Sequence, residues 1–203
     1  MPTILCFGDS NTFGYIPGGA GRFGEETRWP CLLGRLQGCR IVENGVLGRT
    51  TVFEDPDRPG KKGLDDLTDA MRGAQADMLI LMLGTNDCKT QFAASPLQIA
   101  GGMVRLAREA RQVRPDVQII FVSPPLLGIS ALSCGDYDRE SLTVSARLPA
   151  AYQYAAEENG CAFWDAAASA AVSSVDGEHL SAEGHRALAG DLHKIITRLS
   201  AES

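Results

Sequence analysis

The amino-acid sequence predicts an α/β protein: a single doubly wound α/β/α sandwich around a central parallel sheet. Three observations predict it. Short apolar runs of strand length recur along the whole chain, and most are continuous rather than alternating. Continuous hydrophobicity marks strands covered on both faces, the condition of a parallel sheet. Segments of helical period separate these runs, giving a βαβ series. The third observation is size. A chain of 203 residues, 44% hydrophobic and 22% charged, suits one compact domain with a sizeable core, so residues 1–203 are read as one domain.

The first strand is TILCFG, residues 3–8, and it stops on the polar run Gly8-Asp9-Ser10-Asn11-Thr12. A short helix over 29–37 leads to a strand over 39–44 (CRIVEN). A helix over 63–74 and a strand over 77–84 (DMLILMLG) follow. In SPLQIAGGMVRLAREARQVRP, Ser95 is the N-cap and Pro96 takes the first helical position. Leu97, Ala100, Val104 and Ala107 form the expected apolar stripe of that helix. A strand over 117–123 (VQIIFVS), a long helix over 139–159 and a strand over 161–165 (CAFWD) continue the series. The last helix starts at Ser181 and aligns Leu188, Leu192, Ile195 and Leu199, with His185 and His193 expected to be partly exposed. Residues 124–138, PPLLGISALSCGDYD, form an apolar loop punctuated by Pro and Gly, suited to a lid or a subunit contact. There is no internal repeat, low-complexity tract or linker.

Charge and cysteine usage narrow the function classes. A net charge of −6 without a Lys/Arg cluster argues against a nucleic-acid surface. No apolar run approaches the ~20 residues that span a bilayer. MPTILCFGDS lacks a basic segment followed by a long apolar stretch, so no signal peptide and a cytoplasmic location are expected. The six cysteines include no C-x-x-C pair, which speaks against zinc or thioredoxin-like chemistry; most are expected to be buried as small apolar residues.

Functional groups of open parallel sheets gather beyond the carboxyl ends of the strands. Four polar clusters lie there: Gly8-Asp9-Ser10-Asn11, then ENGVLGRTT with Gly45 and Gly48, then LGTNDCK with Asn86, and finally VDGEHLS with Asp176 and His179. Each alone is an ordinary set of turn residues. Together they hold the parts of a nucleophilic site. Ser10 offers a hydroxyl, and His179, in a loop, is the available base. Asp176, three residues earlier, can take the ring Nδ1–H. The Ser10 and Gly48 amides and the Asn86 side chain can serve a developing oxyanion. A metal held by Asp9, Asp176 and His179 matches no common ligand spacing.

In this order and at these distances, FGDSNTFG, NGVLGRTT, LGTND and DGEHLS resemble the four sequence blocks of the SGNH (GDSL-type) hydrolases. The resemblance spans residues 7–181 and implies Ser10 as nucleophile, Ser10, Gly48 and Asn86 as oxyanion hole, and Asp176 with His179 completing the triad. Asn11 stands where the name-giving pattern has leucine. GDSNT followed by an aromatic, with Arg49-Thr50-Thr51, is similar to the arylesterase/acyltransferase subgroup. That likeness implies short acyl esters of aryl, alkyl or sugar alcohols, acyl transfer to alcohols, no cofactor or metal, and a homo-oligomer such as an octamer. Asn11, Phe13 and Trp29 are the residues expected to line the substrate pocket. The G-x-S-x-G elbow and the Walker A loop are absent. The alternatives are a flavodoxin-like FMN-binding module, in which GDSNTFG would cradle a phosphate, or, among hydrolases, a thioesterase or lysophospholipase.

Overall fold

The fold comes from a computed structural model and describes residues 2–19 and 21–202. Five strands form one all-parallel sheet: β1 (Thr3–Gly8), β2 (Arg40–Gly45), β3 (Met78–Met82), β4 (Gln118–Ser123) and β5 (Ala162–Asp165). Their spatial order is β2-β1-β3-β4-β5. The direction of winding therefore reverses between β1 and β3, and the segments leaving these two strands frame the crevice in which such sheets bind ligands. The helices are α1 (Ser10–Phe13), α2 (Trp29–Gln37), α3 (Gly63–Ala74), α4 (Pro96–Val113), α5 (Arg139–Glu158) and α6 (Ala182–Glu202).

Successive residues of the central strands serve two cores, one on each face of the sheet. Leu5, Phe7, Leu79, Leu81, Ile119 and Phe121 pack with α3, α4 and α5. Ile4, Cys6, Ile80, Met82, Ile120 and Val122 pack with Trp29 and Leu33 of α2 and with Leu188, Leu192 and Ile195 of α6. Coverage on both faces is why these strands read as unbroken apolar runs.

Two helical expectations need correction. In α4 the cap is as expected, because Ser95 and Gln98 form a capping box. The expected Ala100 and Ala107 are buried and Val104 packs against the core, but the buried face is centred on Ile99, Met103, Leu106 and Ala110, and Leu97 is 70% exposed. Leu97 sits in the first turn, and the larger side chains at 103 and 106 decide which face turns inward. In α6, His185 is fully buried rather than partly exposed. Its Nδ1 accepts the Trp29 amide at the start of α2 (3.3 Å), and its ring meets Phe23 edge-on. Of the cysteines, Cys6 and Cys88 are buried, Cys31, Cys39 and Cys161 are intermediate and Cys134 is exposed; all six are free thiols. Among the described residues no helix is long and apolar enough to cross a membrane.

Candidate active site

The four polar clusters meet on one rim of the sheet. Ser10 follows β1 directly as the first residue of α1, and the Asp9 carboxylate caps that short helix by accepting the Asn11 amide (2.9 Å). α1 lies against β2 so closely that a Cβ on Gly45 would stand 2.1 Å from the Phe13 nitrogen, so this position requires glycine. The segment 172–180 brings His179 back over Ser10. His179 Nε2 is 3.0 Å from Ser10 Oγ, and His179 Nδ1 is 2.9 Å from Asp176 Oδ2. With Nδ1–H donated to the carboxylate, Nε2 keeps its lone pair toward the serine hydroxyl.

Asp176 is well provided for as an anion. Its Oδ1 accepts the amides of Glu178 and His179 (3.1 Å each), and its Oδ2 also accepts the Gly18 amide (3.1 Å). Burial pushes its pKa up, but the hydrogen bonds from the His179 ring and from the two amides outweigh it, so the group lies below the ordinary carboxylate value. Asp9 has the opposite balance. It is buried, its Oδ2 has no protein partner, and burial pushes its pKa up to about 7 against the pull of the Asn11 amide and of His179.

Arg49 organises the second and third clusters. It is buried and donates to the carbonyls of Gly8 (3.0 Å) and Asn44 (2.7 Å), pairs with Asp66 and stacks on Phe7. Its own carbonyl accepts Asn86 Nδ2 (3.1 Å), which orients the carboxamide and leaves the second N–H of that group for a ligand. Asp87 fastens the same turn by accepting the amide and the hydroxyl of Thr51. Gly48 adopts φ +77°, a left-handed conformation natural to glycine. The Ser10 and Gly48 amides donate to no group among the described residues. Ser10, Gly48 and Asn86 thus share one cavity with three donors available.

That cavity is small, about 250 Å³, and its remaining wall is Tyr15, Leu47, Arg58, Cys134, Asp136 and Glu178. The apolar loop after β4 forms part of it by docking on the His179 segment. The Gly128 amide donates to the Gly177 carbonyl (2.7 Å), Ser130 Oγ to Ser174 (2.8 Å) and Tyr137 Oη to Glu178 (2.8 Å). A larger depression of about 400 Å³ lies beyond Lys89 at the α4–α5 junction and touches none of Ser10, Gly48, Asn86 and His179.

The three residues expected to line the pocket are elsewhere. Trp29 is fully buried in the core under α2 and α6. The Phe13 ring is covered by the Arg22 guanidinium, 4.4 Å from its centroid, outside the cavity wall. Asn11 is buried beneath the site, where its Oδ1 accepts the Leu180 amide (2.8 Å) and its Nδ2 donates to the Glu178 carbonyl (3.2 Å). It holds both sides of His179, a task that a leucine at this position could not perform. Glu178 lies within the DGEHLS block, whereas Arg58 and Asp136 belong to no motif and nothing local in the sequence marks them.

A family model matches residues 6–187, nearly the whole chain, and it is that of the GDSL-like lipase/acylhydrolase family. The chain belongs to this family. Solved structures agree in fold over full length. An M. smegmatis aryl esterase in its inhibitor-bound form is 29% identical, with 98% of this chain and 100% of that one covered, at a TM-score of 0.91. A carbohydrate acetylesterase family member from Sinorhizobium meliloti is 31% identical over 97% of each chain, at 0.90. A second carbohydrate acetylesterase from Sinorhizobium meliloti is 29% identical over 98% of this chain and 100% of that one, at 0.91. Among curated proteins no sequence matches. The protein is a carboxylic ester hydrolase of the GDSL type. The phosphate-cradle alternative also fits the local geometry poorly, because the Asn11 amide is taken by Asp9 and Ser10 Oγ is engaged by His179. Among the described residues no cluster of His, Cys, Asp and Glu is arranged to hold a metal in this GDSL hydrolase.

Proposed function

We propose that this GDSL hydrolase cleaves short-chain, acetyl-like acyl esters through an acyl-enzyme on Ser10. The observation that carries the proposal is the hydrogen-bonded line from Ser10 Oγ through His179 to Asp176, at 3.0 and 2.9 Å. His179 Nε2 takes the Ser10 proton as Oγ attacks the ester carbonyl, and Asp176 stabilises the imidazolium. The oxyanion is held by the Ser10 and Gly48 amides and Asn86 Nδ2. The alcohol leaves with the proton from His179. Water then attacks the acyl-enzyme with the same histidine as base, or a competing alcohol does so and acyl transfer results.

The size of the cavity supports a short acyl group, since about 250 Å³ falls below the usual range for drug-sized ligands. Its charged wall favours sugar and other polar alcohols over long lipid chains. The test is hydrolysis of p-nitrophenyl esters from acetate to octanoate by the protein and by Ser10→Ala. Rates that fall with chain length and vanish in Ser10→Ala support the reading; rates that survive Ser10→Ala refute it. We further propose a homo-oligomer, on the apolar surface that Leu97 and Tyr154 expose beside Ala150 and Ala151, and sedimentation of the pure protein tests this. A cytoplasmic location is supported by six thiols that stand unpaired.

A further inference from the structure

We propose that Arg58 and Asp136 are the specificity-determining pair for the alcohol half of the ester, and that they recognise vicinal hydroxyls. The inference rests on the short-acyl esterase reading above and adds to it the residues that choose the alcohol. An ester whose carbonyl sits at Ser10 must place its alcohol in the rest of the same cavity. The charged groups of that wall are Arg58, Asp136 and Glu178, and Glu178 Oε1 is already engaged by Tyr137.

The two side chains come from opposite sides of the crevice, Arg58 from the loop after β2 and Asp136 from the loop after β4. Their backbones are held firmly. Asp55 is fully buried; its carbonyl accepts the Arg58 amide (3.1 Å), and its carboxylate accepts the Asp57 amide (3.0 Å) and Gln91 Nε2 (2.9 Å). Lys89, also buried, bridges Asp55 (3.4 Å) and Asp136 (3.2 Å), and the Asp136 carbonyl accepts the Thr90 amide (3.0 Å). Arg58, Asp136, Lys89 and Asp55 thus form a line of alternating charge across three loops, and the backbone bond between Arg58 and Asp55 joins its ends.

The link that faces the cavity is the slack one. Arg58 Nη2 lies 3.7 Å from Asp136 Oδ2, beyond hydrogen-bonding distance, and the two side chains are 52% and 41% exposed. Such an exposed pair contributes little to stability, so a ligand can insert between its members at small cost. The Arg58 chain rests on Gly48, with Cδ and Nη1 each 3.4 Å from where a Cβ would stand, which keeps the guanidinium beside the oxyanion donors. A fork of N–H donors facing a carboxylate acceptor suits two adjacent hydroxyls, one accepting from Arg58 and the other donating to Asp136. An aryl alcohol offers neither bond and would desolvate the pair without compensation.

The experiment compares p-nitrophenyl acetate with a methyl glucoside carrying one acetyl group. Both form the same acetyl-enzyme, so deacylation is common to them and alcohol recognition shows in kcat/KM. Arg58→Ala and Asp136→Asn should each lower kcat/KM for the acetylated glucoside about tenfold or more, the effect of one hydrogen bond to a charged group. For p-nitrophenyl acetate, which makes no such bond and desolvates the pair, kcat/KM should hold or rise, so the ratio of the two substrates falls about tenfold or more. Arg58→Lys, which keeps the charge and loses the fork, should recover only part of the loss. Equal losses on both substrates, or no loss on either, would overturn the assignment. A wild-type protein that cleaves p-nitrophenyl acetate but not the glucoside would also overturn it, while leaving the esterase reading intact. Failure of the wild type on every short ester would instead strike the reading itself.

Discussion

Asn11 stands where it can be asked whether the His179 segment is held from below. In Asn11→Ala the Leu180 amide loses its partner (2.8 Å) at a buried position, and the Glu178 carbonyl loses one (3.2 Å) at a part-buried position. A buried N–H left unpaired costs about 1–3 kcal/mol, and a carbonyl that water can reach about 0.5–1.5 kcal/mol. The sum is about 3 kcal/mol, which a domain stable by about 5–15 kcal/mol survives. The catalytic effect should be larger in proportion. These two bonds bracket His179, whose Nε2 must stay near 3.0 Å from Ser10 Oγ, and a displacement of about 1 Å at such a place costs on the order of 10² in rate. Urea unfolding and steady-state hydrolysis of p-nitrophenyl acetate measure the two effects separately, and KM should move little beside kcat. A variant destabilised as expected yet turning over at the native rate would refute the reasoning. In that case the Asp176 contacts alone position the histidine.

Asn86→Ala should lower kcat by roughly 10²–10³ by removing one oxyanion donor, with the fold intact by circular dichroism; near-normal turnover would remove Asn86 from the oxyanion hole. Acid should weaken the fold through His185, whose pKa burial lowers from the ordinary 6.5 to about 4, with the nearby Arg28 cation adding to the shift. A depressed folded pKa means that the unfolded chain binds the extra proton, so the contribution is full above about pH 6.5 and fades toward pH 4, by about 3 kcal/mol in all. Asp9 and Asp87, raised to about 7 and about 6 chiefly by burial, slope the other way over this range, so the comparison must be with His185→Gln. The stability difference between the two proteins should shrink as pH falls from 6.5 to 4, and parallel curves would refute the His185 role.

How much of this was legible in the sequence follows from what each feature depends on. The strands were legible because a parallel sheet buried on both faces leaves unbroken apolar runs, and their limits moved by a residue or two. α4 was legible as a helix from its cap and less so in its phase, because Ile99, Met103, Leu106 and Ala110 make as regular a stripe as the one headed by Leu97. Trp29 departs from its expected place for a related reason. An aromatic near a polar cluster suggests a pocket, yet Trp29 and Leu33 are one turn apart on α2 and form the face that turns to the core.

Within the site, what could be read was what lies close in sequence. Asp176 and His179 are three residues apart, and each other polar group follows a strand that could be located in advance. What could not be read were the contacts made by loops meeting over the rim. Nothing local reveals that Arg49 turns inward to bind the ends of β1 and β2, or that Asn11 reaches the residues on both sides of His179. The same holds for Arg58 and Asp136, which face one another only because Lys89 and Asp55 join their loops from behind. Ser10, His179 and Asp176 say which reaction to expect. The alcohol that the protein accepts depends on charged loop residues that no motif marks, so the two-substrate comparison reads a property the sequence blocks leave open.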